Sequence, residues 1–137
     1  MKTLLIAAAL AGLTWSANAA EPAPLGKNLL GTWCSDGKEG KLWRYQREIN
    51  PPKGRAPCKG NEWMEMKQNG YEGPEFSCKL VDSIVAHVPP SNPPQPSDII
   101  EIYHPSYRCT GEGYAWKEEL IIIYKGTSIL VDVRKEK

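Results

Sequence analysis

Histidine and phenylalanine are scarce in this 137-residue chain, which has two histidines, His87 and His104, and a single phenylalanine, Phe76. So little imidazole leaves almost nothing for a histidine-based hydrolytic triad or a histidine metal cluster. The strings G-x-S-x-G and H-E-x-x-H do not occur, which removes the familiar signatures of serine hydrolases and zinc peptidases. No two cysteines stand at C-x-x-C spacing, so the close pairs that build zinc and dithiol redox sites are excluded. Basic clusters are missing as well. The densest is Arg134-Lys135-Glu136-Lys137, interrupted by an acid, and nucleic-acid binding, which needs clustered Lys and Arg, is not expected.

The chain opens with Lys2, an apolar run from Leu4 to Leu13, and the small residues Ala17 and Ala19. This is the three-part pattern of a secretory signal, with Ala17-Asn18-Ala19 matching the A-x-A cleavage rule. The apolar run is about half of the roughly 20 residues a membrane-spanning helix needs, and no membrane span is expected in the mature chain. We therefore read residues 1–19 as a signal peptide, 20–29 as a flexible leader with two prolines, and 30–137 as one β domain. The expected location is periplasmic or secreted. Lys2 is the only charged residue in the signal, so 17 basic and 16 acidic residues become 16 of each in the mature chain.

Four cysteines, Cys34, Cys58, Cys78 and Cys109, give an even count in a chain read as exported, the setting in which disulfides form and persist. The rest of the domain is a series of short apolar and aromatic runs separated by Gly, Pro and Asn. They include KLWRYQREI, EWMEMKQ, EFSCKLVDSIVAHV, YAWKEELIIIYK and SILVDVR. Such lengths and boundaries read as β-strands, with hairpin turns at Asn69-Gly70 and Gly126-Thr127. The fold class is all-β: a single small antiparallel meander sheet or short barrel, stapled by two disulfides. Residues Pro89 to Pro96 hold five prolines in eight positions and make a stiff, exposed loop.

Folding residues 76–88 and 99–111 into a hairpin about Asn92 to Pro94 sets Cys78 opposite Cys109. It also sets Leu80 opposite Tyr107, Ile84 opposite Tyr103, and Val88 opposite Ile99, all sensible cross-strand pairs. That register predicts Cys78–Cys109 and, by elimination, Cys34–Cys58. A bulge at Pro105 would shift it by one residue.

The segments Gly31-Thr32-Trp33-Cys34, Gly70-Tyr71-Glu72-Gly73 with Glu75 and Cys78, and Cys109-Thr110-Gly111-Glu112-Gly113 with Trp116 resemble small exported disulfide-containing proteins of Gram-negative bacteria. That group brings no activity to carry over. Gly31-Thr32-Trp33 also resembles the G-x-W motif that opens lipocalin-like barrels, which implies a basic side chain covering the tryptophan. Arg134, near the carboxyl end, is the expected cover through a cation–π contact.

Several residues invite a chemical role. In the hairpin register, His104 faces Ser83 and shares a sheet face with His87, four residues away. At about 3.3 Å per residue the two histidines stand roughly 13 Å apart, too far for one metal ion. Glu72 and Glu75 flank a Gly-Pro turn, and Glu112 lies between two glycines, where close backbone approach would direct its carboxylate into a structural hydrogen bond. Trp33, Trp43, Trp63 and Trp116 belong mostly to the core, with Trp43 and Tyr45 on one strand face.

No catalytic, cofactor or metal site is expected. The sequence reads as a non-catalytic binding protein for an unknown protein or small ligand, with a small inhibitor of a protease or lysozyme as the alternative. An inhibitor would present a rigid protruding loop, a carrier an apolar cavity, and an enzyme a cleft with converging polar groups.

Overall fold

The computed structural model describes residues 25–48, Cys58 and 62–136. The residues read as a signal peptide, and 20–24 of the leader, lie outside this range. A 3-10 turn, Lys27–Leu29, leads into eight strands: β1 (Gly31–Glu39), β2 (Leu42–Arg47), β3 (Trp63–Lys67), β4 (Gly70–Gly73), β5 (Phe76–His87), β6 (Glu101–Gly111), β7 (Tyr114–Tyr124) and β8 (Ser128–Glu136). Together they close a short antiparallel barrel in the order β1-β2-β8-β7-β6-β5-β4-β3.

From β3 to β8 the chain is a meander of hairpins, because each strand alternates inward and outward residues and the turns between them are tight except for the proline-rich β5–β6 loop. β1 breaks the pattern by sitting between β2 and β3. An up-and-down barrel of the lipocalin kind would keep every strand beside its chain neighbours. Here the end of β2 and the start of β3 lie on opposite sides of β1. The Glu48 amide bonds to Thr32 on one side, and the Ser35 amide to Glu62 on the other. Cys58, between β2 and β3 in sequence, is bonded to Cys34, the outward neighbour of the fully buried Trp33. The disulfide therefore ties Cys58 to β1.

The second bridge joins Cys78 to Cys109, directly opposite one another on β5 and β6, with Leu80 opposite Tyr107. Beyond this point the register shifts by one at Val81 on β5, so Ile84 faces His104 rather than Tyr103, and the Val88 amide bonds to Ile100. Pro105 lies close to the shift. It has no amide hydrogen to give the ladder, it faces Ser83, and the β6–β7 ladder is interrupted at His104 and Pro105.

The interior is filled by Trp33, Met66, Tyr107, Leu120, Ile122, Ile129 and Val131. Leu25 and Leu29 belong to the same core. The fold thus takes in residues that composition alone placed in a leader, because Leu25 and Leu29 close one barrel end. Trp33 donates from Nε1 to the Leu29 carbonyl at 2.9 Å. Its cation is Arg47, with the guanidinium 4.2 Å from the ring centroid. Arg134 instead lies 3.5 Å from Asp132, so the expected Arg134 cover is replaced by one from β2.

Candidate functional site

The barrel has two unlike ends. At the end closed by the 3-10 turn, Glu101 is buried and receives hydrogen bonds from Asn28 Nδ2 at 2.9 Å and the Tyr103 hydroxyl at 2.8 Å. His87 Nδ1 lies 3.0 Å from its other oxygen. Burial pushes the Glu101 carboxyl up, but the two hydrogen bonds and the His87 charge outweigh it and hold the group below the usual glutamate range. Arg47 donates to the Leu30 carbonyl at 2.7 Å and to that of Asn28. These contacts latch the turn onto the barrel, a structural use of charge.

The opposite end is open among the described residues. The turns β4–β5 and β6–β7 meet there, and the inward-facing residues Phe76, Tyr114 and Trp116 reach past the packed core. They line a cleft of about 720 Å³ with Pro74, Lys135 and Glu136. Tyr114 is the most exposed large apolar side chain described, at 74%. Lys135 Nζ sits 5.7 Å from the Trp116 ring centroid. The aromatic rings continue inward, with Phe76 against Trp116, Tyr71 edge-on to Phe76, and Tyr107 edge-on to Tyr71.

Beneath the cleft lies a second buried acid. Glu118 accepts the Trp116 indole N–H at 3.2 Å and the Tyr71 hydroxyl, and its Oε2 is 3.8 Å and 3.9 Å from the sulfurs of Cys109 and Cys78. Burial pushes its carboxyl above the usual range against the pull of Lys135. Cys78, Cys109 and Glu118 are close enough to surround an ion. With both sulfurs joined, however, they offer one carboxylate and no thiolate, short of a metal-ligand set.

Two acids singled out from the sequence meet at the rim. Gly111 makes the meeting feasible, because a Cβ there would stand 2.6 Å from the Glu75 carbonyl oxygen and 2.9 Å from the Phe76 Cβ. Both Glu75 and Glu112 adopt positive φ, 66° and 49°, a conformation uncommon outside glycine. The Glu75 carboxyl is raised by its side-chain hydrogen bond with Glu112 and by that neighbour's charge. Glycoside hydrolysis sets its two carboxyls at least about 5 Å apart, wider than a hydrogen-bonded pair, so the arrangement does not suit that reaction.

The other candidates are dispersed. Glu72 pairs with Lys67 at 2.9 Å on the outer surface. The β5 bulge puts His87 opposite Glu101 and His104 opposite Ile84, so the two histidines lie on opposite faces rather than on one. His104 is 3.5 Å from Glu119. Trp43 and Tyr45 lie opposite the core residues Val131 and Ile129. Glu101, Glu118, Asn28 and Arg47 were not singled out from the sequence, and Tyr71 and Lys135 were named there without a site role. Strict alternation in YAWKEELIIIYK places Glu118 on the face of Trp116, Leu120 and Ile122, and that was the available signal.

Comparison with protein-family models, with curated proteins and with solved structures gives no match. The two disulfides point to an oxidising, extracytoplasmic setting.

Proposed function

We propose that this chain is an exported, non-catalytic β-barrel that binds a ligand or partner at its open mouth. One observation carries the reading: the barrel interior is filled with side chains, while three aromatic residues face a cleft of about 720 Å³ at one end. That volume lies within the roughly 300–1,000 Å³ of small-molecule sites. A carrier holding its cargo inside the barrel is disfavoured, since small barrels with packed interiors leave no room. Enzymatic use is disfavoured because the charged side chains lining the cleft are Glu75, Glu112, Lys135 and Glu136, with no histidine or thiol beside them.

The test is a nuclear magnetic resonance titration of the purified protein with a fragment library. Perturbed signals should cluster at Phe76, Tyr114 and Trp116. Perturbation confined to the β5–β6 loop, or none at any fragment, removes the mouth as the binding site.

The inhibitor reading has its own support in that loop. Asp98 accepts the Ser91 and Gln95 amides, each at 3.0 Å, and the Ser91 hydroxyl at 2.5 Å. The proline-rich segment is thereby held in one exposed shape, as a cleft-plugging loop requires. Assays against proteases and lysozymes separate the readings: inhibition lost on Asp98→Ala and kept on Trp116→Phe favours the loop.

A further inference from the structure

Resting on the mouth as the binding site, we infer that its ligand is a small organic cation, an amine or quaternary ammonium borne on a flat apolar body. The walls are aromatic, and an aromatic face attracts a cation through its quadrupole. The rim carries three acids, Glu75, Glu112 and Glu136, against one base, Lys135. An anion entering the cleft would meet that excess of negative charge at the same moment as the electron-rich ring faces.

The chain itself shows which charge suits the site. Lys135 extends its ammonium toward the Trp116 ring at 5.7 Å, near the outer limit of about 6 Å for such contacts, and it forms no ion pair among the described residues. Glu75 and Glu112 share a side-chain hydrogen bond, which together with the neighbour's charge raises the Glu75 carboxyl, and both acids line the cleft. A bound cation would give that acid pair an opposite charge to face. Trp116 is also fixed in advance, because its indole N–H is held by buried Glu118, so presenting the ring face needs little further ordering.

The test titrates the whole exported chain with benzyltrimethylammonium, benzoate and cellobiose, following the Trp116 indole N–H resonance. The cation should shift it saturably and benzoate should not. The double variant Glu75→Gln/Glu112→Gln, altered only at exposed side chains, should weaken the cation by about tenfold. Lys135→Met removes the internal competitor and should tighten it by about threefold.

Weaker binding of the cation by Lys135→Met, or equal binding by the Gln variant, overturns the inference. Saturable binding of cellobiose or benzoate alone leaves the mouth as a site and rejects the cation. No response of Trp116 to any of the three rejects both.

Discussion

The guanidinium of Arg47 lies over the indole of Trp33, 4.2 Å from its centroid, and the same side chain donates to the carbonyls of Leu30 and Asn28. One residue on β2 thus holds the first core tryptophan and the turn that closes the barrel.

Arg47→Ala should therefore cost about 2–3 kcal/mol, from lost charge-assisted hydrogen bonds and the cation–π contact. Arg47→Lys should recover only part of this, since an ammonium lacks the planar fork. Arg134→Ala, at an exposed side chain beside Asp132, should stay within about 0.5 kcal/mol of the parent. Urea denaturation of the three variants checks the order. An Arg134→Ala loss as large as that of Arg47→Ala would contradict the contact seen.

Glu118 and Glu101 should bend the stability profile in opposite senses. The Glu118 carboxyl is raised on folding, so its contribution is present below the unfolded value near 4.5 and is lost as pH rises through its folded value. Relative to the parent, Glu118→Gln should gain stability as pH climbs from 4.5 toward neutrality. Glu101 is lowered, so its contribution is present above about pH 4.5 and is lost as pH falls through its folded value. Asn28→Ala should flatten that acid limb. Denaturation midpoints across pH 3–8 measure both effects.

Replacing Glu118 with leucine has a different consequence. The Tyr71 hydroxyl and the Trp116 indole would keep their polar atoms and lose their acceptor, at about 2–4 kcal/mol together. Adding Tyr71→Phe should return part of that loss. A Glu118→Leu variant as stable as the parent, by calorimetry, would show that the two donors find other partners.

Opening the Cys78–Cys109 bridge as a Cys78→Ala/Cys109→Ala pair should cost about 3–4 kcal/mol, given the 31-residue separation. Opening Cys34–Cys58 should cost about as much, yet its effect should concentrate around β1. Hydrogen exchange in that variant should rise first at the Glu48 and Ser35 amides, which bond across to β1 and to Glu62. Uniform loss of protection around the barrel would argue against a local clamp.

Much of the strand pattern was legible because alternation and turn residues are local. The Cys78–Cys109 pairing followed from a hairpin register supported by cross-strand pairs such as Leu80 with Tyr107, and Gly111 and Glu112 stood out because glycine beside a charge implies close backbone approach. β4, only Gly70–Gly73, is absent from the strand-like runs of the sequence: two of its four residues are glycine, and its pairing comes from β3 and β5. Trp33 was recognisable as a core residue, but its cation was sought at the carboxyl end. Arg47 reaches it only because β2 pairs with β1.

What the chain fixes on its own is what neighbouring residues can settle between themselves: an all-β character, a proline-stiffened loop, and cysteines placed to bridge a hairpin. The closed ring, the strand that separates β2 from β3, the burial of Glu101 and Glu118, and the aromatic mouth beside two acids arise between segments far apart in sequence. Those outcomes depend on which strand edges meet when the sheet closes, and on how far each strand projects past the packed core. Geometry of that kind has no imprint in any single run of residues.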